Sequence, residues 1–132
     1  MRHDEFIGQV QQQARLSSRG DAERATRATL ETLAERIPGG LAENLAAQLP
    51  IEVGEHLRRV THAPDEPELG ERFGRNEFVT RIAERAGGGV DFPEAAHWAR
   101  AVFALVDEAT SGSLTEKVAQ SLPEDIRTLV TA

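Results

Sequence analysis

Four histidines, several close carboxylates and a scatter of arginines carry the chemistry open to this chain. His56 and His62 flank an acidic run. His62, Asp65, Glu66 and Glu68 together offer the nitrogen and oxygen donors that suit a hard divalent cation. Their spacing fits no closed zinc site, and a solvated acidic linker explains them as well. There is no Cys, which excludes disulfides, thiol nucleophiles and thiolate ligands. His97 stands beside Trp98, but a general base needs a group to orient it and a substrate to act on. At helical spacing His97 shares a polar stripe with Arg100, Asp107 and Glu108, the pattern of a wet helix edge. Ser17, Ser18, Ser111, Ser113 and Ser121 all fall at turns or helix ends, and none sits in a nucleophile elbow. Gly87-Gly88-Gly89 follows a helix and lacks the lysine and strand of a phosphate loop. The Asp/Asn ladder of a calcium-binding hand is missing as well. The sequence therefore assigns no catalytic residue, no cofactor and no metal ligand.

The elements that must position these side chains come twice. At an offset of 72, Glu5-Phe6-Ile7 returns as Glu77-Phe78-Val79, and Val10 and Ala14 return as Ile82 and Ala86. One residue is inserted near Gly87-Gly88-Gly89, where a loop tolerates it. At an offset of 73, Arg27-Ala28 then returns as Arg100-Ala101, Gly39 as Gly112, and Leu49-Pro50 as Leu122-Pro123. Each copy reads as four helices. The first starts after Asp4 or Asn76, and the second after Ser18 or Asp91, each followed three residues on by an acid as in a capping box. Gly39 and Gly112 mark the end of the second helix, and Gly40 and Ser113 cap the third. Pro50 and Pro123 separate the third helix from a short fourth. The predicted fold is all-α: two tandem pseudo-symmetric four-helix repeats, 4–60 and 75–131, joined by a linker over 61–74 and packed into one helical bundle domain. A lone half of roughly 60 residues buries too little surface to stand comfortably by itself.

The two long helices differ in the sequence. Residues around Arg24, Arg27, Glu31 and Glu35 form a charged stripe, on which Glu23–Arg27 and Arg27–Glu31 can pair one turn apart. The counterpart over 93–109 is apolar round most of its circumference, so it is expected at the centre of the core. Trp98 and Phe103 on that helix are either core side chains or a partner or self-association surface. Arg27 and Arg100 occupy matching positions and could jointly hold an anion at the seam between copies; exposed helix arginine is the alternative.

The net charge of −7 is spread evenly over both halves, with no basic pole for a phosphate backbone, so nucleic acid is not an expected partner. No apolar run reaches membrane-spanning length, and the start Met-Arg-His-Asp-Glu carries no secretory signal, which gives a cytoplasmic expectation.

The order Glu-Phe, Arg-Ala with apolar neighbours, Gly and Leu-Pro, repeated over 4–60 and 75–131, resembles the bacterial family catalogued as domain of unknown function 2267. Its clearest stretch is Ala46-Ala47-Gln48-Leu49-Pro50. The resemblance implies an all-α fold and no reaction. Two readings of function stand: a non-catalytic module that binds a protein partner or itself, and a protein that binds a small molecule, anion or metal, with or without catalysis, in a cleft between the repeats.

Overall fold

The computed structural model describes residues 1–60 and 72–131. The described residues form eight helices and no strand. They are α1 (His3–Ala14), α2 (Arg19–Arg36), α3 (Gly39–Gln48), α4 (Ile51–Arg58), α5 (Arg75–Ala86), α6 (Phe92–Ala109), α7 (Gly112–Gln120) and α8 (Glu124–Thr131). Lengths of 12, 18, 10 and 8 residues are followed by 12, 18, 9 and 8, the order that the repeated sequence predicts.

Both long helices start where predicted. Ser18 Oγ accepts from the Asp21 amide at 3.1 Å, and Asp91 Oδ1 accepts from the Glu94 amide at 2.9 Å. Other predicted boundaries are corrected. Asp4 is not a cap: α1 starts at His3, and the Asp4 carboxylate instead takes the Arg19 guanidinium at 2.6 Å, tying the starts of α1 and α2. Asn76 lies inside α5. The amide of Arg75 is capped from across the chain by Asp125 Oδ2 at 3.0 Å. Gly39 and Gly112 open α3 and α7 rather than closing the helices before them. Those helices end on extended residues, Ile37 and Thr110, so no left-handed glycine is needed. Consequently Gly40 and Ser113 fall in first turns and do not cap. The inserted glycine lies where expected, in the turn after α5, where Gly87, Gly88 and Gly89 have φ of 68°, 65° and 80°.

α1 packs on both α2 and α6, and α5 packs on both α6 and α2. α4 covers α2, and α8 covers α6. One buried cluster runs through all of them and holds Phe6, Leu30, Phe78, Trp98 and Phe103. α6 is central, as its all-round apolar character predicts. α2 is central too, which corrects the simple amphipathic reading. Beside its buried alanines and leucines, Thr26, Thr29 and Thr32 widen the buried face, each fully buried. Thr26 and Thr32 donate to the Ala22 and Ala28 carbonyls one turn back, at 2.9 and 2.8 Å, which satisfies the hydroxyls inside the core.

Thr29 Oγ1 has no hydrogen-bond partner. An orphaned buried hydroxyl costs on the order of 1 kcal/mol or more, and valine matches threonine in shape. Thr29→Val is expected to raise stability by about 1 kcal/mol, read as a higher urea midpoint at unchanged slope.

Candidate functional site: a mixed-charge cleft of α1, α2 and α4

Helical spacing builds a cleft on α1, α2 and α4. Gly20, Arg24 and Arg27 line one face of α2; Glu52 and His56 of α4, with Arg59 just beyond it, form the facing wall; His3 and Ile7 of α1 close the end. The cleft measures about 580 Å³, within the usual range for small-molecule sites.

Its charges are not equally engaged. Arg59 is pinned by Glu31 at 2.9 Å. The acids at the rim are turned to other partners: Glu23 to Arg19 at 3.6 Å, Glu52 to His3 at 3.7 Å and Glu55 to Arg58 at 3.7 Å. Arg27 makes no ion pair among the described residues, and its guanidinium reaches only the Arg85 carbonyl, at 3.4 Å. The predicted pairs Glu23–Arg27 and Arg27–Glu31 do not form, because Arg19 and Arg59 offer those carboxylates closer partners. Arg24 lies over the Trp98 ring at 5.6 Å and faces the Asp21 carboxylate at 3.8 Å, while its Nε is buried without a partner.

His56 is half-buried, and its Nδ1 is sealed from solvent with no hydrogen-bond partner, which leaves Nε2 as the nitrogen able to meet a ligand. Burial lowers its pKa below the ordinary value. Arg59, Arg27 and His3 push the same way, and Glu31 opposes them. His56 is therefore neutral at pH 7.

Glu31 also begins a charged chain that leaves the cleft. Glu31 faces Arg85 at 3.7 Å, and Arg85 holds Glu35 at 2.6 Å and Thr32 at 2.8 Å. Arg81 adds a second contact to Glu35 at 3.3 Å. Burial works to raise the Glu35 carboxyl pKa, but Arg85 and Arg81 outweigh it and the net shift is downward. This network joins α2 to α5, and hence one half of the chain to the other.

Both shifts give stability a positive slope with pH. Where a group's folded pKa lies below its unfolded value, the unfolded state binds more protons between the two. Stability is expected to fall as pH drops below about 6.5, through His56, and to fall again below about 4.5, through Glu35. His56→Leu should flatten the first limb and Glu35→Gln the second, in thermal melts taken from pH 8 to pH 3.

The other candidate residues are placed as follows. Trp98 and Phe103 are each 2% exposed, so they belong to the core and not to the chain's surface. Phe103 stacks on Phe78 with centroids 6.3 Å apart. Arg100 does not join Arg27: it lines a second groove with Gln13, Asp107, Glu108 and Thr115, closed by α7 and α8. Matching helix positions put the two arginines under different covering elements. His97 Nε2 lies 3.1 Å from the Ala14 carbonyl, a contact that serves the end of α1. His62, Asp65, Glu66 and Glu68 lie outside the described residues. Among the described residues no three His, Asp or Glu side chains are grouped to hold a metal.

Sequence reasoning named His56 only beside the acidic run and Arg24 only within a charged stripe, and it missed Arg59 and the cleft that joins them. One signal could have found them. At the offset of 73, His56 corresponds to Leu129 and Glu31 to Ala104. Leu129 is buried, at 1% exposure. The first copy thus carries an ionisable ring where its twin carries a core leucine.

Among the described residues, fold and cleft together define a small helical protein with a mixed-charge cleft built from its first half. The chain belongs to the family described as Uncharacterized conserved protein (DUF2267), whose model matches residues 3–129. No curated protein matches it in sequence. Among the described residues, no helix is long and apolar enough to cross a membrane.

Proposed function

We propose that this protein is a non-catalytic binding module whose ligand site is the cleft between α1, α2 and α4. One observation carries the reading: a cleft of about 580 Å³ gathers Arg24, Arg27, His56 and Arg59, and of these arginines Arg27 alone has no carboxylate partner among the described residues. The polar chemistry is asymmetric, as in a site tuned for recognition. The proposed site lies within the first half of the chain rather than between the halves.

The interaction reading keeps one specific support. Ile51 is 73% exposed at the start of α4, beside Met1 and Pro50. That patch adjoins the cleft, so a protein partner would present the recognised group to the same site.

Gly20 supplies the test. A Cβ added there meets only Ser18 Oγ, at 3.9 Å, so α2 accepts a side chain at the cleft mouth. Wild type and Gly20→Trp would be compared by affinity selection from a small-molecule library with mass-spectrometric readout. The expected result is a compound retained by wild type and released by the variant, with unchanged helical content by circular dichroism. Equal retention by both, or retention by neither, sinks the proposal.

A further inference from the structure

Resting on that reading of the cleft, we infer that its ligand is a small oxyanion, a carboxylate or a phosphate, held by the Arg27 guanidinium and by Nε2–H of a neutral His56. The open valences of the cleft decide the ligand class. Arg27 has five N–H donors and only a 3.4 Å contact to a backbone carbonyl. The Arg24 Nε–H is buried with no acceptor. The nearest carboxylates are committed, Glu31 to Arg59 and Arg85 and Asp21 to Arg24, and none is left for Arg27. A cleft whose unmet groups are donors asks for an acceptor, and unneutralised guanidinium charge asks for a negative one.

The neutral state of His56 follows from its packing. A second proton would have to sit on Nδ1, which is sealed without an acceptor, and Arg59, Arg27 and His3 surround the ring with like charge. Glu31 lies near, but its oxygens are committed to Arg59 and Arg85. The remaining charged groups on the facing elements are Glu23 and Arg24 of α2 and Glu52 and Glu55 of α4, with Glu43 of α3 reaching Arg58 at 3.2 Å. An anion at Nε2 favours the tautomer that carries the proton there, so the neutral ring donates from Nε2.

The comparison between copies points the same way. Leu129 fills the position of His56 in the second half and is buried. A ring with an unsatisfied nitrogen in place of a core leucine weakens the fold. Such a sacrifice of stability is the mark of a functional position.

The test is isothermal titration with inorganic phosphate and, separately, with acetate, using choline as the cationic control. Wild type is expected to bind at least one anion and not choline; which anion binds separates the two oxyanion classes. Arg27→Gln should weaken that binding at least tenfold, and Arg100→Gln, in the second groove, should leave it unchanged. His56→Leu should abolish binding yet raise the melting temperature, which separates lost recognition from lost fold. His56→Gln, which keeps a neutral donor, should bind within a few-fold of wild type between pH 7 and pH 8.5. Anion binding that survives Arg27→Gln overturns the inference, as does a melting temperature lowered by His56→Leu. A neutral or cationic compound released by Gly20→Trp, with no anion bound, overturns the anion class and leaves the cleft reading standing. No binding by any probe together with no compound released by Gly20→Trp ends both.

Discussion

Trp98→Ala is expected to destabilise the protein by about 3–5 kcal/mol, the usual cost of deleting a large aromatic from a packed core. Trp98 is the chain's one tryptophan and the largest of its buried side chains. It sits on α6, the helix that touches α1, α2, α5, α7 and α8. The cavity would open in the middle of the molecule, where no neighbour can collapse without disturbing several helices. Arg24 would also lose the ring beneath its guanidinium. Against a typical total stability of about 5–15 kcal/mol, such a loss is a large fraction of what holds the fold together. The check is urea denaturation followed by circular dichroism at 222 nm. Trp98→Phe should cost clearly less, since most of the volume remains. A loss below about 1 kcal/mol for the alanine variant would mean that the ring is not packed as described.

Gly54→Ala is expected to cost about 2 kcal/mol, against the ordinary trend. Elsewhere in a helix this substitution gains up to about 1 kcal/mol. Here the new Cβ would lie 2.7 Å from the Ala46 carbonyl oxygen and 3.3 Å from the Ala46 C and Cα atoms. Backbone cannot yield as a flexible side chain can, so α4 must move off α3. The second half solves the same crossing differently. At the offset of 73, Gly54 becomes Arg127 and Ala46 becomes Ala119. Arg127 Nε donates to that same carbonyl, Ala119, at 3.1 Å. Since α4 carries His56, its displacement should loosen the cleft as well as the fold. The variant is therefore expected to lose both melting temperature and anion binding. Full stability in Gly54→Ala would show that the two helices have room between them.

Much of the fold was legible because the chain states it twice. Ser18 and Asp91 announce the long helices through local chemistry that needs no tertiary context. Pro50 and Pro123 do the same for α4 and α8. Gly39 and Gly112 misled because glycine serves a helix start as well as a helix end, and only the extended backbone at Ile37 and Thr110 decides between them. Asp4 misled because a guanidinium fifteen residues away offered it more than the local amides did. The burial of α2 was hidden in its threonines, which count as polar in a pattern but turn a methyl to the core once the hydroxyl is bonded one turn back.

The cleft was less legible, for a physical reason. Arg27, Glu31 and Glu35 look like neighbours that pair along one helix. In the fold each carboxylate finds an arginine on another element, Arg59 or Arg85, and Arg27 is left over. Spacing along a helix cannot report which residue is left over. The substitution of His56 for the leucine of the second copy was visible in the sequence. Its meaning depended on knowing that Leu129 is buried.

The most direct measurement is a map of amide chemical shifts on the isotope-labelled full chain, titrated with inorganic phosphate and with acetate. The expected result is a set of saturable shifts centred on Gly20, Arg27 and His56, with Arg100, Asp107 and Thr115 unmoved. Shifts centred on the second groove, or none at all, would contradict the claim that this cleft is where the protein meets its ligand.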